Sequence, residues 1–205
     1  MRTILPEQKN PILRRKAGRI PLSEIKGRHL QNLIKEMKAL LAKEEFGVAL
    51  AAPQVGEPIR LFIVSGKALA RGMRNAPDLP APAGAQRAGG QAGKSERKPS
   101  ESKPSEVRPH WVPSDQVYIN PELLKISRTR KEKHEGCLSV RGLWGIVRRA
   151  EKATIRAYDE SGGRFTRGAS GFLAHIFQHE MDHLEGILYT DKAMKLYKEN
   201  EDGKQ

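Results

Sequence analysis

The chain has a single cysteine, Cys137, among its 205 residues, so no disulfide can form within one copy. That thiol is left for packing, metal binding or nucleophilic chemistry. No apolar run approaches the ~18 residues of a membrane span, and the opening MRTILPEQKN lacks the apolar core of a signal peptide. The expectation is a soluble, cytoplasmic protein with no membrane partner. Aromatic residues make up only 5% of the chain, and no zinc knuckle or RNP-like aromatic string accompanies its basic residues. This argues against a dedicated reader of nucleic-acid sequence, DNA included. Acid is also scarce, with 24 Asp plus Glu against 37 Lys plus Arg, a net charge of +13. Basic charge spread this widely suits a solvated surface with nonspecific RNA affinity, and association with the ribosome is one form that could take. There is no internal repeat.

A chain of this length can bury a core as one domain, expected over residues 1–205. Leu30, Leu33, Ile34, Met37, Leu40 and Leu41 recur at helical spacing and predict an amphipathic helix from about Ser23, its candidate cap, to Phe46. Ile59 to Val64 is short, apolar and β-branched, and predicts a strand. From about Gly66 to Pro113 the composition turns to Pro, Gly, Ala, Ser and charge. Residues from about Arg74 to Arg108 are too poor in apolar side chains to offset their ordering entropy and read as a disordered insertion. A linker between two domains is the alternative; the motifs on either side need each other, which favours the insertion. Beyond it come QVYINPELLKIS, a basic hinge RTRKEK, EGCLSVRGLWGIV, and two strands around a Ser161-Gly162-Gly163 turn. GFLAHIFQHEMDHLE then reads as a helix after a Ser170 cap, ending at Gly186. The fold class is α+β, with short antiparallel or mixed sheets around this second helix and the amphipathic helix near the N-terminus.

His179-Glu180-Met181-Asp182-His183 is an HExxH motif. On a helix its two histidines lie one turn apart on one face, as a shared metal ion requires, and Glu180 can reach a metal-activated water without itself being a ligand. A catalytic site needs a third ligand and an open position. Cys137 is the candidate, since Gly136 beside it allows close backbone approach. His175 extends the histidine stripe, but eight residues of helix rise about 12 Å, too far for all three imidazoles to meet at one ion. His175 is read as lining the pocket wall beneath the metal or as a hydrogen-bonded core residue.

GVALAAPQ (Gly47 to Gln54), EGCLS (Glu135 to Ser139) and QHEMDHLEG (Gln178 to Gly186), in that order, resemble the three signature motifs of the peptide deformylases. The likeness runs from about Pro11 to Asp191, the insertion excepted. It implies a metal-dependent hydrolase that removes the formyl group from N-formylmethionyl nascent peptides. It implies further that Cys137, His179 and His183 bind the metal, that Glu180 is the catalytic acid and base, and that the Gln54 amide and the Leu138 N–H donate to the oxyanion. Val48, Ala49, Glu135, His175 and Ile176 would border the methionine pocket. The implied metal is iron(II), often replaceable by nickel, cobalt or zinc; one thiolate and two imidazoles by themselves suit zinc.

Two residues depart from the resembled pattern. Ala49 stands where the first motif usually has glycine, which would narrow the path of the substrate backbone, and Arg141 stands where proline is common after EGCLSV. The tail after Asp191 is also short beside the terminal helix of many bacterial members. A zinc endopeptidase of the HExxH type is the rival enzyme; such peptidases usually take a downstream third ligand, whereas Cys137 lies upstream. A ribosome- or RNA-binding protein with a structural metal site is the rival from another class, and it would have no need of Glu180.

Overall fold

The computed structural model describes residues 2–74 and 113–198. The insertion expected over 74–108 therefore lies outside the described residues apart from Arg74. Five antiparallel strands form one sheet in the order β1 (Ala49–Ala51), β2 (Leu61–Val64), β3 (Gln116–Ile126), β6 (Lys152–Tyr158), β7 (Arg164–Ser170). A second antiparallel sheet holds β4 (Arg130–Cys137), β5 (Val140–Ala150) and β8 (Lys195–Lys198). With helices α1 (Arg28–Lys43), α2 (Gly66–Arg74) and α3 (Gly171–Leu184), this is the α+β arrangement expected.

The period of two along a strand decides what each face meets. Leu61, Ile63, Val117 and Ile119 point to one side and cluster with Leu30, Leu33, Ile34, Met37 and Leu41 of α1. Phe62, Val64 and Tyr118 point to the other and cluster with Leu173, Ile176, Phe177, Met181 and Leu184 of α3. Being covered on both faces, β2 is an unbroken apolar run and not an alternating one. Phe62 stacks on Tyr118 at 4.6 Å between ring centroids, and Phe177 of α3 meets Tyr118 edge-on at 5.3 Å. This aromatic contact seats the motif-bearing helix on the sheet.

Several boundaries differ from expectation. Helix α1 starts at Arg28 behind Gly27, which provides no side-chain cap, while Ser23 lies in a 3-10 turn over Leu22–Glu24. The apolar stripe begins only at Leu30, so a helix continued back to Ser23 would have exposed most of its first turn. RTRKEK is not a hinge. Arg130–Lys133 open β4 and pair with Val147–Ala150, so one charged residue faces another across the strands, as at Glu132 and Arg148. Where the composition turns at Gly66 the chain is helical: Ala68 and Leu69 are buried, Ser65 Oγ accepts from Ala68 N, and Asp115 Oδ1 accepts from Gly66 N. The β6–β7 hairpin turns where expected, with Asp159 Oδ1 accepting from the N–H groups of Ser161 and Gly163.

Helix α3 ends against the N-terminal segment. Gly186 has φ +75°, and a methyl group there would lie 2.9 Å from the Arg14 backbone. Gly142 has a similar φ of +73° with open space around it. Gly142→Ala should therefore cost only the left-handed conformational penalty, about 1–2 kcal/mol. Gly186→Ala should cost more by at least as much again, because the atom it meets is backbone and cannot rotate away. Urea denaturation of the two variants checks this, and equal losses would remove the close approach from the account.

Candidate metal centre

Three elements bring the site together. Helix α3 carries His179 and His183 one turn apart, with ring centroids 4.8 Å from each other. Cys137 ends β4, immediately before the Leu138-Ser139 turn into β5. The candidate ligand atoms of Cys137, His179 and His183 all lie within 4.8 Å of one another, and Cys137 Sγ is 3.3 Å from His183 Nε2. His175 is not among them: its Nε2 is 2.8 Å from Glu135 Oε1, so it is a hydrogen-bonded residue behind the site.

Glu135 organises this side. Its carboxylate, 1% exposed, receives Arg149 through Nε at Oε1, 2.6 Å, and Nη2 at Oε2, 3.0 Å, and His179 Nδ1 also lies 2.8 Å from Oε2. Burial would raise the Glu135 pKa, but the bonds from Arg149, His175 and His179 outweigh it and hold the group well below the usual carboxylate range. With Nδ1 committed to the carboxylate, His179 presents Nε2 toward Cys137 and His183. Arg149 also reaches Asp182 Oδ2 at 2.6 Å, and Lys192 holds the other oxygen of that group at 2.5 Å. The hairpin and the helix are thus tied by charge as well as packing. Gln178 adds a neutral clamp, its side chain bonding both the N–H and the carbonyl of Ala150 at 2.9 Å.

The site attracts positive charge. Burial lowers the His179 pKa, but Cys137 and Glu135 more than offset it and carry it well above the ordinary value. His183 is driven the other way by burial and by the charge on His179. Glu180, 3% exposed, has its Oε2 buried with no partner among the described residues, and burial pushes its pKa up to about 7. His183 Nδ1 is likewise buried without a partner.

The opposite wall is β1 and the 3-10 turn after it, Ala52–Val55. Gln54 is held by Ala51 N–H donating to its Oε1 at 2.8 Å, which aims Nε2 at Cys137 Sγ, 3.5 Å away, and at Ser139 Oγ, 3.4 Å away. Strand β1 is the edge of its sheet. The Val48 carbonyl is taken by Ser65 N–H on the β2 side and Ala51 N–H by Gln54, so alternation turns the Ala49 N–H and carbonyl to the free edge. Ala49 and Ile176 are buried in one apolar cluster, with Val48 packed against it. Leu138 packs instead with the α1 cluster, leaving its turn backbone beside Cys137. The space over Gly136 is occupied by the Trp144 ring, 3.3 Å from where a methyl group would sit, so this glycine makes room for the tryptophan and not for a metal. Sequence reasoning missed Arg149, Asp182 and Gln178. Only the last two lay inside a recognised motif, and neither carried a signal of its long-range partner.

A sequence model of the polypeptide deformylase family matches residues 1–199. A peptide deformylase of Leptospira biflexa is 33% identical over 195 residues, covering 94% of this chain and 89% of its own length. One from Desulforudis audaxviator is 44% identical over 85 residues; the match covers 42% of this chain and spans about half, 55%, of that relative. The structure of Arabidopsis thaliana peptide deformylase 1B with an inhibitor superposes at a TM-score of 0.66, with 30% identity over 94% of this chain and 82% of that one.

The Glu135–Arg149 pair yields a prediction independent of activity. Arg149→Ala leaves a buried carboxylate without its main counter-charge and should lower stability by about 3–5 kcal/mol. Chemical denaturation checks it; a loss under about 1 kcal/mol would mean that Glu135 is solvated in another way.

Proposed function

The chain belongs to the polypeptide deformylase family, and from that premise we propose that it hydrolyses the formyl group from N-formylmethionyl nascent peptides, releasing formate. The observation that carries the proposal is the meeting of Cys137, His179 and His183 beside the amide of Gln54 and the carboxylate of Glu180, whose Oε2 has no partner among the described residues. A thiolate and two imidazoles so placed fit one divalent cation. When bound, such an ion supplies Lewis acidity, making water acidic enough to lose a proton near neutral pH.

The chain's own groups do the rest. Glu180 accepts the water proton as oxygen attacks the formyl carbon, the general-base role open to a buried carboxylate beside the ligands. Gln54 Nε2 and the Leu138 N–H donate to the oxyanion that develops on the formyl oxygen, where one such donor is worth about 3 kcal/mol. Glu180 returns its proton to the departing nitrogen as the C–N bond breaks, and formate and a free amine result. Glu135 holds the His179 ring in place throughout. The free edge of β1 offers the Ala49 N–H and carbonyl to an extended peptide, which would bind as an added strand. Val48, Ala49 and Ile176 supply the apolar surface for methionine, and His175 contributes through Glu135.

The resident ion is read as iron(II), with nickel, cobalt or zinc as substitutes. The cytoplasm is the proposed compartment, and no helix among the described residues is long and apolar enough to cross a membrane. The net charge of +13 supports loose association with the ribosome, which should weaken steeply with salt.

Metal analysis of anaerobically purified protein, paired with formate release from formyl-Met-Ala, tests the reading. Cys137→Ala should lose the metal. Glu180→Gln should keep it and lose on the order of 10²–10⁴ in turnover. Near-normal turnover in the glutamine variant would remove Glu180 from the chemistry, and cleavage of unformylated internal peptide bonds would favour an endopeptidase instead.

A further inference from the structure

The β4–β5–β8 sheet has two unlike faces. On the inner one Glu135 and Arg149 bond to α3, Val147 packs with Leu188 and Tyr189, and the place of a side chain at Gly145 is taken by Tyr189, Ala193 and Leu196. Alternation puts the intervening residues on the outer face. Ile146 lies opposite His134 on one side and Lys195 on the other, Trp144 opposite Tyr197, and Arg148 opposite Glu132. His134 Nδ1 is 2.5 Å from the Tyr197 hydroxyl, a contact that reaches across β5 and shows that β4 and β8 present these side chains to the same side. The outer face carries a ring platform and positive charge. Carbons Cε3, Cζ3 and Cη2 of Trp144 are each 3.3 Å from where a methyl group would sit on Gly136, so the ring lies flat on β4 and turns its other face outward. Arg130, Arg148 and Lys195 are exposed and have no acidic partner among the described residues, and Glu132 is the one acid of the described residues on this face.

We propose that the outer face of this sheet binds single-stranded RNA, with a base stacking on Trp144 and the phosphates running past Lys195 toward Arg148. Strand pairing is in unbroken register from Leu143 to Ala150, which sets Arg148 about 13 Å from Trp144 along β5. Lys195, beside Ile146, lies between them. A single strand is the form that fits, because a base must leave its own stack to reach an indole, and a duplex offers its phosphates but not its base faces. Stacking and phosphate contacts carry no sequence code, in keeping with a chain that has no RNP-like aromatic string. The proposal goes beyond the deformylase reading and does not rest on it, since Trp144, Arg148 and Lys195 take no part in the chemistry.

The test uses the full-length, metal-loaded protein and a fluorescein-labelled oligouridylate about twelve nucleotides long, with an RNA duplex of equal length for comparison. By anisotropy, Trp144→Leu should weaken single-strand binding on the order of tenfold and leave duplex binding nearly unchanged, while Trp144→Phe, which keeps a ring, should retain most of the affinity. Arg148→Gln combined with Lys195→Gln should make single-strand binding less salt-dependent, lowering the slope of log K against log salt by about 0.7 for each cation removed. Trp144 fluorescence should be quenched as the oligouridylate binds, read in a Trp111→Phe background that leaves it the only tryptophan. Should Trp144→Leu fail to fold, the quench and the salt slope decide. Unchanged single-strand affinity in a folded Trp144→Leu, no quench, or no binding by the native protein at low salt overturns the proposal. So does a dimer in sedimentation velocity that Trp144→Leu dissolves, which would assign the face to a second copy of the chain. No formate from formyl-Met-Ala by the native protein counts against the deformylase reading alone.

Discussion

Everything at the centre of this molecule depends on one buried carboxylate. Glu135, 1% exposed, sits where an isolated charge would cost several kcal/mol, and it is tolerated because Arg149 and two histidines surround it. The arrangement constrains more than charge. Arg149 belongs to β5, Glu135 to β4, and His175, His179 and Asp182 to α3, so satisfying one carboxylate fixes the hairpin against the helix. Of the two imidazoles that the carboxylate holds, His179 is the one whose remaining nitrogen faces Cys137. Orientation of a proposed metal ligand and attachment of a sheet to a helix are the same set of hydrogen bonds.

The five-stranded sheet supplies the other half. Because β2 and the first half of β3 are covered on both faces, by α1 and by α3, the sheet is a packed layer from which β1 projects as an edge. An edge strand is ordinarily a liability that proteins blunt or cover. Here it borders the site, where Gln54 reaches from the β1 side to Cys137. Substitution of Ala for glycine at position 49 puts a methyl group in the apolar cluster shared with Ile176, while the Ala49 backbone stays on the free edge. Arg141, in place of proline, gives up a conformational restraint and gains an ion pair.

Local periodicity was legible in the sequence. The stripe from Leu30 to Leu41, the apolar run of β2 and the one-turn spacing of His179 and His183 each depend on near neighbours, and each appears in the fold as read. Charged strands were not. Arg130–Lys133 carry no apolar alternation, and two of their partners in β5, Arg149 and Arg148, are charged as well, so the segment read as a hinge. Helix α2 was hidden by its glycines and charges, although Ala68 and Leu69 suffice to bury it. Arg149, one arginine of an Arg-Arg pair, looked like surface. Its role exists only through contacts 14 and 33 residues away in the chain, which no spacing rule reports. The meeting of Cys137 with His183, 46 residues apart, was suggested by chemistry and by resemblance, not by pattern.

The central claim is that Cys137, His179 and His183 form one metal centre whose ligand set excludes His175. The most direct measurement is the X-ray absorption fine structure at the metal edge of anaerobically loaded protein. The account predicts one sulfur at about 2.3 Å and two imidazole nitrogens at about 2.0–2.1 Å, with the remaining scatterers light atoms from water. A shell of three imidazoles without sulfur would contradict it, because the ion would then be held by the helix alone and the geometry of the β4–β5 hairpin would have no part in it.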